Sequence, residues 1–339
     1  MLARTSIIRH ASSGVSLSTP LLIPSFSSKG FGVSQADKTS EIGKFVELSA
    51  EFITRVCLVS AYDVSYGHVP APATFPFKPE LMFLDSGGYE KSRDKDYSSV
   101  IDPVPAPDPW DETRYRNVLT AWPDEVPAVF VSYDDPDVRQ PIKEQILRAR
   151  ELFTAFPKHV SLFLIKPETL SQRSLKECIH SITARADDLT GFQLLGVTEK
   201  ELGNSMLERM VQLALLRRAL DEAGLNAPIH VFGALDPLTV CLYFIAGGEV
   251  FDGLTWLRYA YHNGLCIYMH NYGVVKLDLA MHDRSVTRRT LVSNLYELEH
   301  LENRLRDFES TKDFAKLAPH DDIVRQAADS LETRLKRRA

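Results

Sequence analysis

The sequence has few of the features that would tie a chain together covalently or place it in a membrane. Its four cysteines, Cys57, Cys178, Cys241 and Cys266, are widely scattered and show no CxxC spacing, which argues against a disulfide framework and against a tetrahedral zinc site. A reducing cytoplasm is the expected compartment. Long apolar runs are missing as well. The best, VFGALDPLTVCLYFIAGG, is broken by Asp236 and Pro237, short of the roughly 18–20 uninterrupted residues of a membrane span. No membrane partner is expected. GxGxxG, P-loop, HExxH and GxSxG patterns are absent, so nucleotide cofactors, zinc hydrolysis and serine chemistry have no support.

Excess positive charge is lacking too. With 45 acidic against 39 basic residues the net charge is −6, which argues against a general nucleic-acid coating protein. Local patches remain, at Arg284, Arg288 and Arg289 and in the tail RLKRRA (334–339); each also reads as solvated surface. Residues 1–36 contain no Asp or Glu but several Ser and Arg, a composition that mimics a mitochondrial transit peptide. The alternative is that TPLLIPSFSSKGF (19–31) is already the first strand and its loop, so that removing it would remove part of the fold.

What is present is a repeating pattern. Eight short apolar runs recur: LLIPSF (21–26), VCLVSA (56–61), LMFLD (81–85), AVFVSYD (128–134), VSLFLIK (160–166), GFQLLG (191–196), IHVFGA (229–234) and EVFDGL (249–254). Near-continuous rather than alternating apolar strands indicate a parallel sheet buried on both faces. Segments such as 141–156 and 205–224 fit crossover helices, the second ending at Gly224 as a C-cap. Eight strand–helix units predict an α/β fold, a (β/α)8 TIM barrel over residues 1–285, and 339 residues suffice for one. A charged helical pattern over 286–339 predicts a C-terminal helical extension. The Pro-, Asp- and Ser-rich stretches 67–79 and 91–113 read as long loops near the third strand.

In such a barrel the reactive groups collect at the carboxyl ends of the strands. Asp85, Asp134, Lys166, Gly196, Gly233 and Asp252 all fall there. Any one Asp taken alone reads as a helix cap or turn residue, but a set at successive strand ends reads as a site. Two carboxylates across one pocket are what glycosyl transfer needs, one to attack the anomeric carbon and one to manage the leaving group's proton. Ser86, Gly87 and Gly88 after Asp85 permit positive φ and close backbone approach, enough for a flat ligand against the main chain or for a plain tight turn.

The motif LDSGGYE (84–90) resembles the DSGGFQ motif of the tRNA-guanine transglycosylases, and VFDGLTWLRYAYHNG (250–264) resembles that family's FDCVxPTRxxRNG segment. Weaker matches are residues 19–31 to the opening strand, HVFGALDP (230–237) to MGVGTP, and SNLYELEHLENRLRDF (293–308) to the late HNLxxYLxLMxxIR helix. The resemblance implies replacement of a guanine in a polynucleotide by a 7-deazaguanine. Asp252 would be the nucleophile and Asp85 the general acid and base. Asp134, or Asp135 if the register slips, would read the guanine edge, with the amides near Gly196 and Val197 facing the base carbonyl. Arg258 matches the first arginine of PTRxxRNG.

The departures concern the base and the polymer. Lys166 stands in place of a base-reading glutamine, Tyr261 replaces the second arginine and Gly253 the cysteine. The zinc motif is missing from 264–284, where only Cys266, His270 and His282 are potential ligands, so no cofactor is expected. The polymer could be tRNA or DNA, and because members of the family commonly dimerise, a homo- or hetero-oligomer is a possible state of this chain. Tyr89, Tyr259 or Tyr261 could stack on an extruded base or simply pack. Two other readings compete, a non-catalytic nucleic-acid-binding partner subunit and an N-glycoside hydrolase.

Overall fold

Near-continuous apolar segments cannot present one face to water, and the chain resolves this by curling them into a closed ring. In the computed structural model, which describes residues 1–32, 40–92, 106–171, 174–183 and 185–337, eight parallel strands form one closed barrel. They are β1 Leu21–Phe26, β2 Val56–Ser60, β3 Leu81–Asp85, β4 Ala128–Val131, β5 Val160–Ile165, β6 Leu194–Thr198, β7 Ile229–Phe232 and β8 Val250–Gly253. The ring closes where Val250 through Gly253 of β8 pair with Leu21 through Pro24 of β1. This is the (β/α)8 architecture expected from the sequence, with helices alternating along the chain and further helices at the C-terminus.

Side-chain alternation divides each strand between two cores. Leu21, Ile23, Leu58, Phe83, Val131 and Leu162 are among the residues filling the barrel interior. Their neighbours Leu22, Val59, Leu84 and Phe130 pack outward with the helices. An antiparallel hairpin, Ile7–His10 with Val15–Ser18, adds Ile8 and Leu17 to the interior cluster. It lies across the amino end of the barrel, since the Ser12 hydroxyl donates to the carbonyl of Lys158 (2.9 Å) and the Gln193 amide to that of Arg9 (3.3 Å), just before β5 and β6.

The two largest departures from the expected strand bounds are in the sixth and fourth strands, and the seventh ends at Phe232, one residue before Gly233. The sixth strand begins at Leu194 rather than 191, because Gly191 takes φ +98° in the turn before it; Gly196 is therefore mid-strand. The fourth strand ends at Val131, three residues before Asp134. The helices Ile142–Thr154 and Met206–Glu222 match their predicted spans closely, the second capped by the Ser205 hydroxyl and followed by Gly224 at φ +71°. Of the long loop expected over 91–113, residues 93–105 lie outside the described residues, and Glu112–Thr120 is helical.

The helix Asp283–Thr311 crosses the 285/286 boundary expected from the sequence and is built into the barrel. The buried Glu302 accepts from the Leu22 amide of β1 (3.2 Å) and from Arg55 (2.5 Å). Asn294, fully buried, accepts from the Tyr261 amide (2.8 Å) and donates to the carbonyls of Trp256 and Tyr259 (both 2.7 Å). Three backbone groups of the loop after β8 thus depend on one side chain. Asn294→Ala is expected to cost about 3 kcal/mol, because buried groups left without partners carry their full desolvation penalty; urea denaturation checks this, and a loss below about 0.5 kcal/mol would show that the clamp contributes little.

Candidate active site

The inward-facing rows of β1, β2, β3 and β8 end at the mouth in Ser25, Ser60, Asp85 and Asp252. Asp252, 5% exposed, is held on both oxygens. Its Oδ2 accepts from the Ser25 hydroxyl (2.8 Å); its Oδ1 pairs with His230 Nε2 (3.0 Å) and accepts from the Gly233 amide (3.2 Å). Gly233 can aim its N–H there because it turns at φ +83°. His230 has no exposed surface; its ring stacks on Phe232 (centroids 3.8 Å apart) and meets Phe83 edge-on (5.6 Å). Sequence patterning does not single out His230, whose one signal is a histidine at an inward position of an apolar strand.

Asp85 sits in a different environment. It is half-buried, its Oδ2 accepts from the Gly87 amide (3.2 Å), and burial together with the nearby Glu90 raises its pKa to about 7, with Asp252 and Asp134 adding to the effect. Glu90 is itself buried, accepting from the hydroxyls of Ser60 (2.7 Å) and Ser27. Behind it lies Asp63, with no exposed surface, accepting from the Ser28 amide (2.8 Å); burial and then Glu90 drive its carboxyl well above the ordinary range. Removing the Glu90 charge should therefore loosen the proton on Asp85. We expect Glu90→Gln to lower the Asp85 titration midpoint by about one pH unit, as for a nearby like charge removed. Carboxyl carbon NMR reads this directly, and an unmoved midpoint would show that Glu90 does not set it.

The glycines after Asp85 admit protein groups. At Gly87, φ +86°, an added Cβ would lie 2.6 Å from the indole nitrogen of Trp110 and 2.9 Å from Tyr62. Trp110 donates to the Ser86 carbonyl (2.8 Å), and the Ser86 hydroxyl accepts from the Asp134 amide (3.3 Å). At Gly88 a Cβ would come within 2.9 Å of the Asp134 carboxylate. Both glycines draw neighbouring loops tightly over the end of β3.

Asp134 and Lys166 are brought together, within a ring of four charges. Asp134 bonds Arg139 (2.6 Å) and lies 3.3 Å from the Lys166 ammonium; Lys166 and Arg139 reach Glu201 at 2.8 and 3.5 Å. Burial alone would lower the lysine pKa, but Asp134 and Glu201 hold it above its ordinary value. A cavity of about 320 Å³ abuts this ring, floored by Leu152 and Phe163 and rimmed by Tyr133, Asp134 and Arg139.

No protein-family model matches this chain, and no curated protein matches it.

Gly196 and Val197 lie inside β6, paired to β5 and β7, and a Cβ at Gly196 would strike Phe232 and Leu162 at 2.7 and 2.8 Å. Arg258 donates to the Lys29 carbonyl (3.0 Å) and lies over the Phe31 ring (5.6 Å). Tyr261 is buried, its hydroxyl donating to the Leu235 carbonyl (2.6 Å), which is packing. Tyr89 lies under the Lys29 ammonium (4.3 Å). Arg284, Arg288 and Arg289 lie on the exposed face of their helix. Among the described residues no three His, Cys, Asp or Glu side chains are grouped to hold a metal ion. None of the helices described is long and apolar enough to cross a membrane.

Proposed function

We propose that this protein is a base-exchange enzyme of the guanine transglycosylase type, replacing guanine in a polynucleotide through a covalent link to Asp252. The observation that carries the reading is the contrast between two inward-facing carboxyls at one barrel mouth. Asp85, poised near pH 7, can hold a proton; Asp252 is oriented by three donors. Pairs of carboxyls in such different environments divide acid and nucleophile roles in glycosyl transfer.

In the first step a carboxylate oxygen of Asp252 bonds to C1′ as the bond from C1′ to guanine breaks, and Asp85 gives its proton to the departing base. In the second, the Asp85 carboxylate takes a proton from the incoming 7-deazaguanine. The base then bonds to C1′ and releases Asp252. The target nucleotide must leave its stack first, at a few kcal/mol unless it is already unpaired. Asp134 would read the base by exchanging the Lys166 ammonium, 3.3 Å away, for base N–H donors.

Incubation of the protein with labelled guanine and either bulk tRNA or double-stranded DNA tests the proposal. Label retained in one polymer supports exchange and names the substrate. Release of free guanine with no incorporation would replace exchange by hydrolysis, and inertness toward both would favour a partner subunit.

A further inference from the structure

We infer that His230 is a positioning residue that fixes Asp252 Oδ1 and so selects Oδ2 as the attacking oxygen, an inference that rests on the base-exchange reading. A carboxylate oxygen offers two in-plane lone pairs. On Oδ1 both are taken, by His230 Nε2 at 3.0 Å and the Gly233 amide at 3.2 Å. Among the described residues Oδ2 has one partner, the Ser25 hydroxyl at 2.8 Å, which leaves one pair for C1′. A carboxylate turning freely about its terminal torsion presents either oxygen; this one cannot turn without breaking three contacts.

Packing alone does not account for a histidine here. The inward neighbours Val250, Phe232 and Phe83 are apolar, and a phenyl ring would fill the same slot between Phe232 and Phe83. His230 Nδ1 is buried with no hydrogen-bond partner among the described residues, so the ring's polarity is used toward Asp252. The tautomer with its proton on Nε2 makes that use. Ring stacking at 3.8 Å on Phe232 and the edge contact to Phe83 fix the ring plane, and with it the carboxylate.

The test compares wild type, His230→Gln, which keeps a donor near the Nε2 position, and His230→Phe, which keeps the ring and removes the donor. The readouts are the rate of covalent protein–polynucleotide adduct formation, polynucleotide affinity, and the imidazole nitrogen NMR signals of wild type and Asp252→Asn. The expected result is a loss of about 10²-fold in adduct rate for His230→Phe at unchanged affinity, as for lost orientation. His230→Gln should recover to within about tenfold, and the His230 Nε2 signal should move in Asp252→Asn. Wild-type rates in His230→Phe would overturn the positioning role while leaving base exchange standing. An Nε2 signal indifferent to Asp252→Asn would overturn it whether or not either His230 variant folds. A wild type that forms no adduct would overturn base exchange and this inference together.

Discussion

Asp252→Ala is expected to abolish covalent adduct formation, by about 10⁴-fold or more, since removing a nucleophile leaves only binding and residual electrostatics. The variant also strips the acceptor from three donors, the Ser25 hydroxyl, His230 Nε2 and the Gly233 amide. Each buried donor left without a partner costs about 1–3 kcal/mol, so a lowered melting temperature should accompany the loss. Asp252→Asn separates the two effects. Its amide oxygen can still accept while its carboxylate nucleophile is gone, so it should melt nearer to wild type and form no adduct. A gel shift of protein bound to polynucleotide, run beside circular-dichroism melts, reads both. Adduct at the wild-type rate in either variant would place the nucleophile elsewhere.

Asp85→Asn should move activity and stability in opposite directions. Loss of a positioned acid and base lowers turnover by about 10²–10⁴. The carboxyl it replaces carries a pKa of about 7 because of burial and Glu90, against about 4 in an unfolded chain. Between those values the folded state binds more protons than the unfolded one, so stability falls as pH rises from 4 toward 7. Above pH 7 the wild type must keep this group ionised in place, and an amide has no such charge. The full displacement would be worth about 4 kcal/mol. Partial exposure and the sharing of the repulsion with Glu90 reduce the expected gain to about 2 kcal/mol at pH 8, vanishing near pH 4. Urea denaturation at the two pH values measures it, and a variant less stable than wild type at pH 8 would refute the assignment. A site that stores such repulsion is one that trades stability for chemistry.

Much of this arrangement is legible in the chain itself. The third strand is readable to the residue because Leu81–Leu84 is unbroken apolar and Asp85 and Ser86 end it. The same alternation that buries Leu81 and Phe83 points Asp85 inward, and the step from Val250 to Asp252 does likewise. The sixth strand misleads because Phe192 extends the apolar run into a turn that Gly191 imposes. The hairpin over residues 7–18 is hidden in a stretch whose composition suggests a leader. What the sequence conceals are partners fixed only by barrel closure. Trp110 reaches the Ser86 carbonyl from 24 residues away, and His230 reads as strand filler until Asp252 is seen opposite it. Arg139 and Glu201, the other half of the ring around Asp134 and Lys166, come from the loop after β4 and a single helical turn after β6, both too short for a periodic signal.

Closure of the ring between its first and last strands has a consequence for synthesis. Ser25 and Asp252 are 227 residues apart in the chain, an interval of roughly 10–45 s at usual translation rates. Until β8 emerges from the ribosome, β1 and β7 are open edges with unpaired backbone groups, the kind of surface on which nascent chains aggregate. The contact between Ser25 and Asp252 is completed only as that gap is sealed, and Glu302, which holds the Leu22 amide of β1, emerges later still. The nascent polypeptide therefore acquires its oriented Asp252 carboxylate at the same moment that it loses its stickiest edges.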